Sequence, residues 1–174
     1  LLMALLLAML RTLVDEGLDA ARLITRLNVQ ICRHSPGSRF ITLFYGLYTP
    51  STGALEFVNA GHLPPLVRRA SGTIDRLDGG GMALGMFDHA AYETRRVTLA
   101  PGDTLVLYTD GITEAENREG RAFEDAGLEA ILAHRRDERD PETVARAIIA
   151  AVDAHAGDVR LHDDLTVAVL TRTP

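Results

Sequence analysis

Cysteine is nearly absent from this chain, because Cys32 is the only cysteine among 174 residues. A single thiol excludes an internal disulfide and a zinc site rich in thiolates, and no Cys-x5-Arg phosphate-binding pattern surrounds it. We interpret Cys32 as a small buried apolar residue in a reducing compartment, and we expect the protein to be cytoplasmic.

An excess of positive charge is also missing. The formal net charge is −6, and basic residues are not interleaved with aromatic ones, which argues against a nucleic-acid binder. Arginines pair only at Arg68–Arg69, Arg95–Arg96 and Arg135–Arg136. These pairs are typical of solvated strand or helix faces, although one such arginine could steer a phosphorylated substrate.

A long apolar run is the third absence. Residues 1–10 are almost wholly apolar, but no basic segment precedes them, and Arg11 interrupts the run well short of the roughly 20 residues of a membrane span. The segment therefore predicts neither a signal peptide nor a transmembrane helix, but a core helix that ends near Gly17. Because no capping residue begins this helix, we expect the chain to be a fragment of a longer protein.

The remaining pattern predicts one α+β domain with antiparallel strands, since 47% hydrophobic content supports a sizeable core. A second helix is expected after Asp19, which would cap it, and before Ser35–Pro36–Gly37. Another helix is expected after the capping pair Asp140–Pro141. Strands are predicted at 40–48, 54–59, 66–69, 92–99, in the run that ends at Asp110 and at 165–170, and the later helices at 128–133 and 143–155.

Two apolar segments carry carboxylates at their ends. One run ends at Asp110–Gly111, and Asp163–Asp164 precede the other. If these strands are neighbours in a sheet, the carboxylates meet, and clustered carboxylates suit magnesium or manganese. Each pair also has a simpler interpretation, a hairpin turn for the first and a solvated loop end or backbone cap for the second. No strand returns directly after Gly111, which places Asp110 where a strand passes into a loop or helix.

Two loops are weaker candidates. The segment Asn59–Ala60–Gly61–His62 is typical of a turn in which Asn59 and Gly61 supply unusual backbone angles, and His62 has no second histidine at metal-ligand spacing. The loop Gly79–Gly80–Gly81 lacks the lysine and hydroxyl residue of a phosphate-binding loop, and we interpret it as a mobile flap beside a cleft.

Other phosphatase chemistries lack their essential residues. An aspartyl-phosphate enzyme needs a carboxylate two residues before Asp110, where this chain has Tyr108. His162–Asp163 is similar to the pair of helical metal hydrolases, but it leads into a strand and its partner histidines are missing. Metal-activated water is the chemistry that remains.

Taken in order, the motifs of this chain resemble those of the SpoIIE-like phosphatases, the bacterial branch of the metal-dependent serine/threonine phosphatases. The resemblance covers essentially the whole chain. The motifs that carry it are Phe40–Ile41–Thr42–Leu43–Phe44–Tyr45–Gly46, Asn59–Ala60–Gly61–His62–Leu63–Pro64–Pro65, Gly85, Pro101–Gly102–Asp103, Tyr108–Thr109–Asp110–Gly111–Ile112–Thr113–Glu114–Ala115 and Asp163–Asp164–Leu165–Thr166.

The resemblance implies an antiparallel β-sandwich flanked by helices on both faces, incomplete at its amino end. It also implies a centre of two Mn²⁺ or Mg²⁺ ions in the complete domain, and hydrolysis of phosphoserine or phosphothreonine on a STAS-domain (anti-anti-sigma) regulatory protein. No side chain attacks phosphorus in such enzymes. A bridging water acidified by two cations about 3.5 to 4 Å apart would be the nucleophile.

Site roles follow from the same resemblance. Asp110 and Asp163 match the metal-binding aspartates of the family. Gly111, Glu114 and Asp164 are expected to lie around those ligands without a metal bond assigned to them. The loop Asn59, Gly61 and His62 is a further candidate for the site.

One departure from the family pattern is an absence. The motifs that carry the bridging aspartate and a carbonyl ligand precede Leu1 in the family, so we expect this fragment alone to have little or no activity. The resemblance also implies an upstream sensor or regulatory domain, with membrane tethering through such a region as one arrangement. Missing strands would expose sheet edges and apolar surface and favour association, with a homodimer as one outcome.

A competing hypothesis is a non-catalytic interaction or sensing domain that keeps the phosphatase fold. It predicts no metal dependence. The presence of both Asp110 and Asp163 argues against it, because a domain without catalysis has no evident need for both acids.

Overall fold

The computed structural model describes residues 2–34 and 39–173. The predicted Ser35–Pro36–Gly37 boundary lies outside these residues. In chain order the described elements are α1 (Leu2–Asp15), α2 (Ala20–His34), β1 (Leu43–Thr49), β2 (Ala54–Ala60), β3 (Leu66–Arg68), β4 (Ile74–Arg76), β5 (Arg95–Thr98), β6 (Thr104–Tyr108), α3 (Asp110–Thr113), α4 (Glu124–His134), α5 (Pro141–Ala156) and β7 (Val167–Thr171). The predicted α+β class with antiparallel strands is confirmed.

The chain divides into two compact units, the first comprising Leu1–His62 and Gly79–Thr98. Its sheet has the order β1-β2-β5, and every pairing is antiparallel. Strands β1 and β2 form a hairpin that ends at the pair Thr49 and Ala54. Apolar residues at helical spacing on α2 bury one face of that helix against the unit's core. These core residues are Leu23, Ile24, Leu27 and Ile31, together with Leu6 and Leu13 of α1.

The second unit comprises Leu63–Asp78 and Leu99–Pro174. Its sheet has the order β4-β3-β6-β7, again antiparallel throughout. Helices α4 and α5 contribute the buried side chains of its core, and Val106 and Tyr108 of β6 join them. The helix-borne members of this core are Leu128, Leu132, Val144, Ile148 and Val152.

Several predicted boundaries are wrong. The first strand begins at Leu43, because Ile41 makes only an isolated bridge to Leu84. The strand predicted at 92–99 is limited to Arg95–Thr98, since Tyr92 is buried in the core of the first unit before the strand begins. The last strand starts two residues late, at Val167. Strand β4 was not predicted, because Ile74–Arg76 contains a single apolar residue.

Two predicted helix caps are confirmed. The side chain of Asp19 accepts a hydrogen bond from the backbone N–H of Arg22 at 2.9 Å. Asp140 is the N-cap of α5, and its carboxylate accepts a hydrogen bond from the N–H of Thr143 at 2.9 Å. Among the described residues, no helix is long and apolar enough to cross a membrane.

Candidate functional site

The pairing of β6 with β7 brings the two predicted acidic sites to the same end of one sheet. The last paired residues of these strands are Tyr108 and Val167. Beyond them, Thr109 exchanges backbone and side-chain hydrogen bonds with Thr166 at 3.1 Å, and its hydroxyl donates to the carbonyl of Asp164 at 3.2 Å. The two strands are therefore neighbours in the sheet, which is the condition under which their acidic ends meet.

Gly111 permits the close approach of the two segments. A Cβ atom at this position would lie 2.5 Å from the carbonyl oxygen of Asp164 and 3.0 Å from its carbonyl carbon. Any side chain would push the two segments apart, because real Cβ atoms do not approach backbone atoms so closely. The absence of a side chain at Gly111 thus lets its backbone lie close to the Asp164–Leu165 peptide.

Both candidate ligands are exposed and stand at local turns. Asp110 begins α3, and one of its carboxylate oxygens accepts the N–H of Gly111 at 3.0 Å. One oxygen of Asp163 accepts the N–H of Asp164 at 2.7 Å in the same manner. Within the described residues neither carboxylate takes part in an ion pair. Each side chain is oriented by one hydrogen bond and keeps acceptor capacity for a ligand.

A cleft of about 250 Å³ opens beside these residues. Four carboxylate or imidazole side chains and several small or apolar residues line it: Gly111, Glu114, Ala115, Glu116, Ala122, Leu161, His162 and Asp163. Glu114 was predicted to lie near the site, and the cleft includes it. Glu116 and His162 were not predicted; the available signal for Glu116 was its position two residues after Glu114.

The donor atoms suit a hard divalent cation, because carboxylate oxygens are the ligands that Mg²⁺ and Mn²⁺ prefer. The set is nevertheless small. Among the residues that the structure describes, no three His, Cys, Asp or Glu side chains are grouped closely enough to hold a metal ion. Asp110 and Asp163 therefore fit as part of a metal site that needs further donors, and Asp164 contributes its carbonyl to the contact with Gly111.

A further candidate, the loop with Asn59, Gly61 and His62, belongs to the first unit. The side-chain amide of Asn59 makes its hydrogen bonds within this loop. The Asn59 side chain accepts from the N–H of His62 at 2.8 Å and donates to the carbonyl of His62 at 2.9 Å. Gly61 has a φ of +75°, and a Cβ there would lie 2.8 Å from the nitrogen of Ala83. Gly61 supplies the predicted unusual backbone angle, but Asn59 does not, because it belongs to strand β2 and has no positive φ. A part for these residues in the site stays a prediction.

The glycine loop 79–81, which was interpreted as a flap, also lies in the first unit. It lines a second cleft, of about 220 Å³, with Ala91, Glu93 and Arg95. The N–H of Gly81 donates to the carbonyl of Asn59 at 2.7 Å, so one end of the loop is tied to the end of β2.

A polar network of Tyr108, Asp125 and Arg76 lies at the end of β6 that precedes Asp110. Burial and a hydrogen bond to Asp125 raise the pKa of Tyr108. Burial opposes ionisation of Asp125, but hydrogen bonds from Arg76 and Tyr108 outweigh it and hold the pKa of Asp125 below its ordinary value. Tyr108 is therefore a neutral donor and Asp125 a charged acceptor at neutral pH.

Comparison with known proteins agrees with this architecture. The sequence is 27% identical over 162 residues to the phosphoserine phosphatase RsbU of Bacillus subtilis, a match that covers 92% of this chain and 48% of RsbU. The chain thus spans about half the length of that relative.

Solved structures share the fold. The RsbU and RsbW domains of Rv1364c from Mycobacterium tuberculosis match with a TM-score of 0.81 at 23% identity, over 99% of this chain and 49% of that one. The manganese-presoaked phosphatase domain of SpoIIE from Bacillus subtilis matches with a TM-score of 0.68 at 18% identity, over 97% and 72% of the two chains.

The family model for stage II sporulation protein E matches residues 1–173. That match covers both compact units, including the paired ends of β6 and β7 that carry Asp110 and Asp163. The chain belongs to the SpoIIE family.

Proposed function

We propose that this chain is part of a metal-dependent protein phosphatase that hydrolyses phosphoserine or phosphothreonine on a STAS-domain regulatory protein. The observation that carries the proposal is the placement of Asp110 and Asp163 at one end of the β6–β7 pair, beside an acidic cleft, in a member of the SpoIIE family. The name of RsbU, a phosphoserine phosphatase, supports the reaction class.

Asp110 and Asp163 would hold Mn²⁺ or Mg²⁺, and the manganese used with the SpoIIE structure supports that choice. When bound, the cations would supply positive charge for the phosphoryl oxygens and lower the pKa of water. The chain's own residues orient these ligands: the N–H of Gly111 fixes the Asp110 carboxylate, and the N–H of Asp164 fixes that of Asp163. Glu114 and Glu116 line the adjoining cleft and keep it acidic.

We also propose that these 174 residues by themselves release phosphate weakly or not at all. Two carboxylates provide few of the about six oxygen ligands that an octahedral Mg²⁺ takes, and water would have to supply the rest. The absence of a group of three acids or histidines among the described residues supports this expectation.

The test is phosphate release from a phosphoserine STAS protein by the full-length protein, measured against manganese concentration. Asp110→Ala and Asp163→Ala should each abolish release, whereas Asp153→Ala, on the exposed face of α5, should not. Asp153 is the matched control because it is an exposed aspartate of α5 that does not line the cleft.

The small donor set also favours one other function, a non-catalytic interaction domain with the same fold. A folded full-length protein that binds the STAS partner but releases no phosphate at any manganese concentration would support that alternative. Release that persists in both Asp110→Ala and Asp163→Ala would contradict the assignment of these residues.

A further inference from the structure

Tyr108 carries a buried hydroxyl two residues before Asp110. Its side chain is 2% exposed at the end of β6, and the hydroxyl donates to a carboxylate oxygen of Asp125 at 2.9 Å. Asp125 lies in the first turn of α4. One hydrogen bond therefore joins β6, the strand that precedes Asp110, to α4.

Asp125 is held from a second side. Its other carboxylate oxygen pairs with Arg76 of β4 at 2.7 Å, and Arg76 also pairs with Glu129, one turn further along α4, at 2.7 Å. The network thus joins β4, β6 and the first turns of α4. Because Arg76 makes separate contacts to the two acids, the side chain of Asp125 has little freedom to rotate away from Tyr108.

The backbone next to Asp125 is strained. Glu124 has a φ of +59°, the single positive φ at a non-glycine residue among those described. On its other side, the N–H of Phe123 donates to the carbonyl of Ala115 at 2.9 Å, and the ring of Phe123 packs edge-on against His155 with centroids 5.4 Å apart. Strain of this kind persists where the neighbouring contacts over-determine the conformation, and it concentrates near functional sites.

These contacts lie at the two ends of the segment that lines the cleft. Residues 114–122 run from the end of α3 to Phe123, and Glu114, Glu116 and Ala122 of this segment line the cleft. The segment is connected at its beginning, through α3, to Asp110 and the end of β6. At its end it is connected to the strained turn into α4. A shift between β6 and α4 would therefore move the acids of the cleft relative to Asp110.

We propose that Tyr108 and Asp125 are positioning residues for the metal site, with Arg76 as the group that holds Asp125 in place. This inference rests on the proposed function, because it takes Asp110 as a metal ligand. In this role Tyr108 contacts neither metal nor substrate. It fixes the position of residues 114–122 relative to the end of β6.

The experiment measures manganese binding to the full-length protein by electron paramagnetic resonance and, in parallel, manganese-dependent phosphate release. Tyr108→Phe removes only the hydroxyl. Loss of a group hydrogen-bonded directly to a metal ligand costs about 10-fold to 100-fold in affinity. Tyr108 bonds to Asp125 and not to a proposed ligand, so we expect Mn²⁺ affinity to fall by about tenfold, the lower end of that range. Turnover at saturating manganese should change less than about twofold.

Three further variants complete the design, one at Tyr48 and two at Asp125. Tyr48→Phe removes the hydroxyl of a half-buried tyrosine of the first unit and should leave Mn²⁺ affinity unchanged. Asp125→Asn keeps an acceptor oxygen for Tyr108 but loses the charge that binds Arg76, so its affinity should lie between those of wild type and Asp125→Ala. It also preserves the test if Tyr108→Phe fails to fold.

The outcomes separate the two proposals. Unchanged Mn²⁺ affinity in Tyr108→Phe and Asp125→Ala overturns the inference, even if their thermal stability falls, because a purely structural role would give that result. A wild-type protein that binds Mn²⁺ but releases no phosphate overturns the proposed function, while weaker Mn²⁺ binding in Tyr108→Phe would still support the positioning role.

Discussion

Strand β6 has an aspartate near each end, and the two differ in almost every physical respect. Asp103, just before the strand, is 2% exposed and accepts hydrogen bonds from the backbone N–H groups of Ala70 and Ala100, at 2.8 and 2.9 Å, as well as an ion pair with Arg69 at 2.8 Å. Asp110, beyond the other end, is exposed and lies outside any ion pair of the described residues.

The difference shows how the surroundings decide what an aspartate does. Both carboxylate oxygens of Asp103 accept from donors of its own fold, so Asp103 joins Arg69 and Ala70, which follow β3, to Ala100 in the turn before β6. Asp110 is oriented by one N–H and keeps oxygen atoms for a ligand. Residue type and position beside the strand are the same in both cases.

Replacing each aspartate by asparagine tests directly whether Asp103 and Asp110 differ in their contribution to stability. Asp103→Asn should lower the free energy of unfolding by about 3 kcal/mol, because it removes the partner of a buried charge pair and misplaces an amide against backbone donors. Asp110→Asn should change it by less than about 0.5 kcal/mol, as is usual for exposed positions. Urea unfolding of the metal-free protein measures both, and equal losses would contradict the distinction.

Gly111→Ala tests the close contact at the acidic end. Since the new Cβ would lie 2.5 Å from the Asp164 carbonyl, the two segments must separate, and we expect a loss of about 2 kcal/mol together with weaker Mn²⁺ binding. Gly120→Ala is the control, because its φ is +71° but nothing lies within 4 Å of its Cβ. It should cost some stability and leave Mn²⁺ binding intact.

The pH dependence of stability is a second test of the role of Asp103. Burial of Asp103 opposes its ionisation, but hydrogen bonds from Arg69, Ala70 and Ala100 outweigh it and hold the pKa of Asp103 below its ordinary value. Its contribution is therefore fully present above about pH 4, the unfolded value, and is lost as the pH falls through the lower folded value. The stability difference between wild type and Asp103→Asn should narrow below about pH 4; a constant difference down to about pH 3 would contradict this assignment.

Thr109→Val should have a smaller effect than Asp103→Asn or Gly111→Ala. It removes the hydroxyl that donates to the Asp164 carbonyl and accepts from the N–H of Thr166, a loss of about 1 kcal/mol at an exposed site. Thr109→Ser keeps the hydroxyl and should restore most of the difference in thermal unfolding. A Thr109→Val variant as stable as wild type would contradict the contribution of the hydroxyl.

Local features of the fold were predictable because they depend on residues close in sequence. Asp19 and Asp140 cap α2 and α5 through N–H groups three residues away. The apolar spacing of α2 likewise predicts its buried face, and the passage from β6 into α3 follows from the absence of a returning strand after Gly111. Strand β4 escaped prediction because its three residues follow no apolar alternation and pair with β3 through backbone hydrogen bonds.

The candidate site was predictable in its ligands but only partly in its surroundings. Asp110 and Asp163 stand out as acids at the ends of apolar runs, and their assignment to a metal stays a prediction. Glu116 enters the cleft through a bridge to Ala122, and Tyr108 reaches Asp125 across 17 positions. Contacts of this kind leave no periodic signal in the sequence.

The sequence by itself determined the α+β class, the helix caps and the family, since propensity, capping and motifs act over a few residues. Only the tertiary structure decided that β2 pairs with β5 and β3 with β6, and that Asp103 is buried against Arg69 while Asp110 stays exposed. Burial and ion pairing are set by segments far apart in the chain, so two identical residues beside one strand acquire different roles only when the chain has folded.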